Sequence, residues 1–170
     1  MATADFRRFA FDLTRVEKSA KAVARESYWR LYAAENLLRV LVHTVLQSQL
    51  GDAWWSLATT KTMRDDAEGA RQRYLAHPWH GTAGTHPVYF CYLSTLAKIM
   101  EANKNLFDPV IKDIDGWIAR TEQVVLPRNI VGHMNWLTAT DRSRIQVFHS
   151  DLQALIGKLA ADGVLLVIAA

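Results

Sequence analysis

Apolar residues recur every third or fourth position along most of this chain, and before its last residues no stretch alternates apolar and polar side chains as a half-buried strand would. That period predicts an all-α fold. Over residues 4–49 the spacing runs through Phe9, Leu13, Val16, Ala20, Val23, Leu31, Ala34, Leu38, Leu41 and Val45, so one or two helices are expected, ending before Gly51. Residues 62–74 carry a thin apolar stripe of Met63, Ala67 and Ala70. The period resumes over 87–105 through Tyr89, Leu93, Leu96 and Met100, and over 108–125 through Ile111, Ile114, Ile118 and Val125. Between them, 77–87 holds Pro78, Gly81, Gly84 and Pro87 with little periodicity and reads as a loop. Pro127 is expected to break or kink its helix, because it lacks an amide donor and restricts Leu126. A last helix is expected over 141–161, capped by Thr140 or Asp141 and followed by Gly163. The apolar end, 163–168, fits either a short strand or a tail for a partner surface.

At 170 residues with 50% hydrophobic side chains, the chain suits a single domain spanning 1–170. Charged residues make up 22%, and no apolar run approaches the roughly 20 residues that would cross a bilayer, so no membrane association is expected. Charges at Asp5, Arg7 and Arg8, without an apolar core behind them, argue against a secretory signal and for a cytoplasmic protein. The lone cysteine, Cys91, stands between Phe90 and Tyr92 and reads as a small buried hydrophobe. A net charge of +3 and a pI near 9.1 permit nucleic-acid binding without demanding it.

One stretch reads as chemistry rather than packing: Arg128-Asn129-Ile130-Val131-Gly132-His133, after Pro127. A permanent guanidinium, an amide and an imidazole in six residues suit phosphate handling. With Pro127 in a first helical turn, Arg128 and Asn129 would lie among unpaired backbone amides, a ready anion site. Asn129 and His133, four apart, share a helix face. Gly132 costs roughly 1 kcal/mol relative to Ala inside a helix, which suits a close approach by another backbone. Glu35 stands four residues before Arg39, the favoured order for an ion pair. His77, His80 and His86 invite a zinc reading, yet no cysteine is near and their spacing matches no common site, so no metal or other cofactor is expected. Trp54, Trp55, Trp79 and Trp117 are assigned to packing, whereas Trp136, three residues past His133, is placed beside the cleft.

The Arg-Asn-x-x-x-His pattern near the start of a late helix in an all-helical domain resembles the HEPN superfamily. The ordered segments Glu35 to Val42, Gly51 to Trp55, Pro87 to Phe90 leading into Leu96 to Ile99, and Pro127 to His133 resemble its Swt-like branch, over about 28–155. The resemblance implies a helical bundle that dimerises with two motif helices facing across a shared cleft. It implies a metal-independent endoribonuclease, of a toxin–antitoxin or antiviral-defence type, leaving 2′,3′-cyclic phosphate ends on RNA. His133 would then serve as general acid/base, Arg128 would hold the scissile phosphate, and Asn129 would orient the phosphate or the imidazole. Glu35, which resembles an acidic position of an early family helix, would pair with Arg39 or lean toward the cleft; with Arg39 and Trp136 it completes the candidate site. Implied partners are RNA, a second copy, and an antitoxin or defence-system protein. In the branch silenced by a nucleotidyltransferase antitoxin a tyrosine stands two residues after the histidine; here it is Asn135, so control by that modification is not expected. The alternative is a non-catalytic HEPN-like dimerisation module that binds RNA or a partner protein.

Overall fold

Leu13–Val23 (α1) and Trp29–Leu50 (α2) make one continuous helical run in the computed structural model, joined by a π-helical turn at Ala24–Tyr28. Residues 4–81 and 83–170 are described; Thr82, within the expected 77–87 loop, and the first three residues lie outside them. Asp12 starts the run, its carboxylate accepting from the Thr14 amide at 2.9 Å. Gly51 ends it at φ 67°, a conformation that costs a side chain dearly and glycine little. From Leu41 to Leu46 every residue of α2 is buried. A helix buried on all sides over such a stretch belongs inside a core, and α2 is the central one here.

The remaining elements are Trp54–Ala58 (α3), Lys61–Leu75 (α4), a 3-10 turn at Pro87–Phe90, Leu93–Ala102 (α5), Lys104–Phe107 (α6), Ile114–Gly132 (α7) and Ala139–Ala161 (α8). No strand occurs among the described residues, and no helix there is long and apolar enough to cross a membrane. Helix α2 packs along α8 and against α5, while α7 packs on both α5 and α8; α4 lies against the 3-10 turn. The shared core takes Leu38 and Val42 from α2, Leu96 and Met100 from α5, Ile118 and Val124 from α7, and Ile145 and Leu152 from α8. Each such side chain is worth about 1.5–3 kcal/mol when fully buried. Helix α8 starts at a capping box: the Thr138 hydroxyl accepts from the Asp141 amide, and the Asp141 carboxylate accepts from the Thr138 amide. The cap is therefore Thr138, two residues before the earliest position expected.

Three local expectations are corrected. Pro127 lies inside α7, which continues through it to Gly132. One missing amide bond is outweighed by the apolar face on which Val124, Pro127 and Val131 are all buried. The segment expected to be helical over 108–113 is irregular, α7 beginning after Asp113, whose carboxylate caps it at the Gly116 amide. The C-terminal residues form neither a strand nor a free tail. They run along α2, with the Val167 amide donating to Thr44 Oγ1 at 2.9 Å and Ala169 buried in the core.

A knot of aromatic rings fastens α2 to the segment before the 3-10 turn. Trp54, fully buried, donates its indole N–H to His43 Nδ1 at 3.0 Å. Its ring stacks on His86 at 5.2 Å, and His86 Nδ1 accepts from the Val88 amide at 3.1 Å. Both imidazoles thus use a ring nitrogen as acceptor, which only the neutral form allows. Burial pushes His86 down to about 4, helped by the neighbouring His43, and burial lowers His43 as well. The unfolded chain takes up protons below about pH 6.5 that the folded one refuses, so stability is full above that pH and falls between about 6.5 and 4. Stability is expected to fall across this window by on the order of 3 kcal/mol for His86 alone, at about 1.4 kcal/mol per pH unit, and the urea midpoint to fall with it. A flat profile from pH 7 to 5 would contradict the neutral pairing. Cys91 is buried as expected, and burial raises its thiol to about 12.

Candidate functional site

Helix α7 delivers the Arg128–His133 motif in its last turn. The expected placement at a helix start fails because Pro127 does not interrupt α7. Here the backbone donors are already used, the His133 amide bonding to the Asn129 carbonyl at 2.9 Å. The helix dipole presents its negative end, so any anion must be held by side-chain charge.

That charge is assembled across the bundle. Arg128 Nε donates to Glu35 Oε2 at 3.1 Å, although the two residues are 93 apart in sequence. Glu35 takes Arg39 Nη2 on its other oxygen. Arg39 also donates to the Cys91 carbonyl at 2.9 Å and to Asn36 Oδ1 at 3.0 Å. The Arg39 and Glu35 side chains are only 13% and 12% exposed, so this is a largely desolvated cluster rather than a surface pair. Its polar groups are not all satisfied: Arg39 Nε is buried without an acceptor. The Arg128 guanidinium lies 5.3 Å from the centre of the Tyr92 ring, and its two Nη groups take no acceptor among the described residues. Of the two placements the sequence left open for Glu35, the pairing with Arg39 forms, and Arg128 joins it.

Glu35, Arg39 and Arg128 form one wall of an open cavity of about 440 Å³. Its other walls come from the end of α4, with Arg73, Tyr74 and His77, and from Tyr89 to Tyr92. Residues of α4 and Tyr92 escaped the sequence reading because they belong to no motif; only their tyrosine and arginine content hinted at a phosphate-and-ring surface. The loop histidines separate. His77 and His80 border this cavity, while His86 joins the Trp54 knot. No group of three metal-ligating side chains is brought together among the described residues.

Asn129 and His133 lie outside this cavity. Both are exposed, on an outward face of α7 that their spacing shares with Leu126, itself 72% exposed. After His133 the chain turns through Met134 at φ 57°, with the Met134 amide bonded to the Val131 carbonyl and the Asn135 amide to the Ile130 carbonyl, both at 2.9 Å. This is a Schellman-type ending with methionine where glycine is usual. Met134 is 87% exposed, so packing gives it no reason to be there. Such left-handed outliers gather at functional sites. Met134→Gly is expected to relieve up to about 1 kcal/mol of strain, read as a raised thermal midpoint; a lowered one would show the turn to be unstrained. Asn135 carries the next restraint, donating to the His133 carbonyl at 2.9 Å and accepting from Arg7 Nη1 at 3.1 Å. Arg7 is itself paired with Asp5. Trp136 is half-buried and lies under the Arg142 guanidinium, 5.3 Å from its ring centre, and does not line the cavity.

Comparison with models of known families, with curated proteins and with solved structures gave no match. An arginine oriented through Nε by a buried carboxylate, with its fork left free, is built to grip an oxyanion. The solvent-facing imidazole of His133 stands five residues further on, outside the cavity.

Proposed function

We propose that this chain is a HEPN-like, homodimeric, metal-independent endoribonuclease of toxin or antiphage-defence type, with Arg128, Asn129 and His133 at its centre. The observation that carries this reading is Arg128: Glu35 holds its Nε while both Nη groups stay uncommitted at the edge of a basic cavity. RNA supplies its own nucleophile. The 2′-oxygen bonds to phosphorus as the bond to the 5′-oxygen breaks, one base takes the 2′-hydroxyl proton and one acid protonates the leaving oxygen. The product is a 2′,3′-cyclic phosphate. Arg128 binds the phosphate as its charge builds. A dimer that brings two copies of His133 together has one imidazole for each proton transfer. Leu126 and Met134, large apolar groups flanking His133, make that outward face a surface a second copy would cover. An antitoxin or defence-system protein is the partner this activity would require for restraint.

A second reading has its own support, since Asn129 and His133 do not line the cavity with Arg128, and the Glu35–Arg128 pair also ties α2 to α7. On that reading the chain is a non-catalytic HEPN-like module that binds RNA or a protein. The deciding test is incubation of purified protein with RNA in excess EDTA, with analysis of the product ends. Cutting to 2′,3′-cyclic phosphates supports the nuclease. A folded protein that binds RNA and cuts none leaves the binding module.

A further inference from the structure

The cavity beside Arg128 has features that holding one phosphate does not require. Its volume, about 440 Å³, falls in the range of small-molecule sites and exceeds what a lone phosphate fills. Three guanidinium groups, those of Arg39, Arg73 and Arg128, face it against the single carboxylate of Glu35. Arg73 makes no ion pair among the described residues, and Arg39 Nε is buried with no acceptor. The remaining wall is aromatic: Tyr74, Tyr89 and Tyr92 line it, and none of their hydroxyls is hydrogen-bonded among the described residues. Tyr74 is 43% exposed and Tyr92 57%, so these rings are open to solvent rather than spent on the core. Tyr89 is held in place from behind, where Gly84 at φ 131° lies so close that an added Cβ would meet the ring at 2.6 Å. The unpaired guanidinium of Arg73 and the two free Nη groups of Arg128 call for an anion, and solvent-facing rings with free hydroxyls call for a flat polar ligand. One chemical unit has both.

We infer that this cavity is a subsite for a single unstacked nucleotide, its phosphate on Arg128 and Arg73 and its base against Tyr74 and Tyr92. The inference rests on the ribonuclease reading in taking that nucleotide as a unit of single-stranded RNA next to the cut. A free mononucleotide has the same chemistry and would use the same groups. A base stacked inside a duplex cannot enter, so the site selects unpaired strands.

The test uses the full chain and a short single-stranded oligoribonucleotide carrying 2′-O-methyl groups. These remove the internal nucleophile, so binding is read whether or not the protein cuts. Titration calorimetry is expected to show tighter binding of this strand than of its duplex. Arg73→Glu and Tyr74→Ala, both at exposed positions, are expected to weaken it by roughly tenfold each, with unchanged circular dichroism. Adenosine and guanosine 5′-monophosphates, titrated separately, distinguish the sources: affinity matching that of the oligonucleotide assigns the subsite to free nucleotides, and weaker binding assigns it to an RNA unit. Equal affinity for single strand and duplex, or binding untouched by both substitutions, overturns the subsite. Binding that behaves as expected in a protein that cuts no unmodified RNA leaves the subsite standing and removes the nuclease.

Discussion

His133→Ala is expected to lower RNA cleavage in EDTA by about 10²–10⁴-fold, the usual range for a positioned acid or base, while leaving the fold intact. His133 is exposed and its side chain makes no hydrogen bond among the described residues, so its removal costs the folded chain little. Arg128→Ala is expected to match that loss for a different reason. Deleting a preorganised donor to the reacting oxygens costs about 10²–10³-fold, and here it also frees Glu35 to repel the phosphate. Arg128→Lys should rescue little, because an ammonium cannot bond Glu35 through one nitrogen and offer a two-pronged fork from others. In a double variant the losses should fail to multiply if the two residues serve one step. Product ends analysed beside the rates keep a contaminating nuclease from imitating the result. Cleavage that survives both substitutions would remove the motif from the chemistry.

The helical period carried the fold class because a helix that covers a core must repeat its apolar face. The regular stretches of α2 and α8 follow that rule, and their ends lie within a few residues of where the pattern placed them, whereas α5 begins only at Leu93, six residues after the expected start, because a 3-10 turn occupies Pro87–Phe90. Where the reading failed, a tertiary term outvoted a local one. Pro127 is a helix breaker by its own chemistry, yet burial of its face keeps α7 whole and puts the motif at the opposite helix end from the one expected. The π-helical turn at Ala24–Tyr28 left no mark either, since one extra residue in a turn does not disturb a pattern sampled every few positions. Of the candidate site, Glu35 and Arg39 were legible as an i,i+4 pair. The bond from Arg128 to Glu35 was not, because no local rule joins residues so far apart. Arg73 and Tyr74 belong to no motif, and their orientation toward Arg128 depends on where α4 comes to rest against the 3-10 turn.

Glu35 is where stability and function meet, and Glu35→Ala is expected to cost about 3 kcal/mol, the lower end for breaking a buried ion pair by removing one partner. Two guanidinium groups would be left facing each other, and that of Arg39 is only 13% exposed. For a chain of this length the loss corresponds to a thermal midpoint lower by roughly 6–12 °C. Glu35→Gln keeps the shape and one acceptor oxygen, so a smaller loss of about 1–2 kcal/mol is expected. The functional effect should run in two directions. Without the carboxylate the cavity gains positive charge, so RNA binding at low salt should hold or strengthen. Arg128 meanwhile loses the contact that aims it, and cleavage should fall. A split of this kind separates positioning from attraction, which deletion of Arg128 itself cannot do. The cycle of Glu35→Ala, Arg128→Ala and the pair then measures the contact directly: a coupling of at least about 1 kcal/mol is expected for residues in one buried network. Additive losses, or an unchanged midpoint for Glu35→Ala, would mean that the α2–α7 bridge does not form in solution, and the oriented guanidinium on which the site depends would go with it.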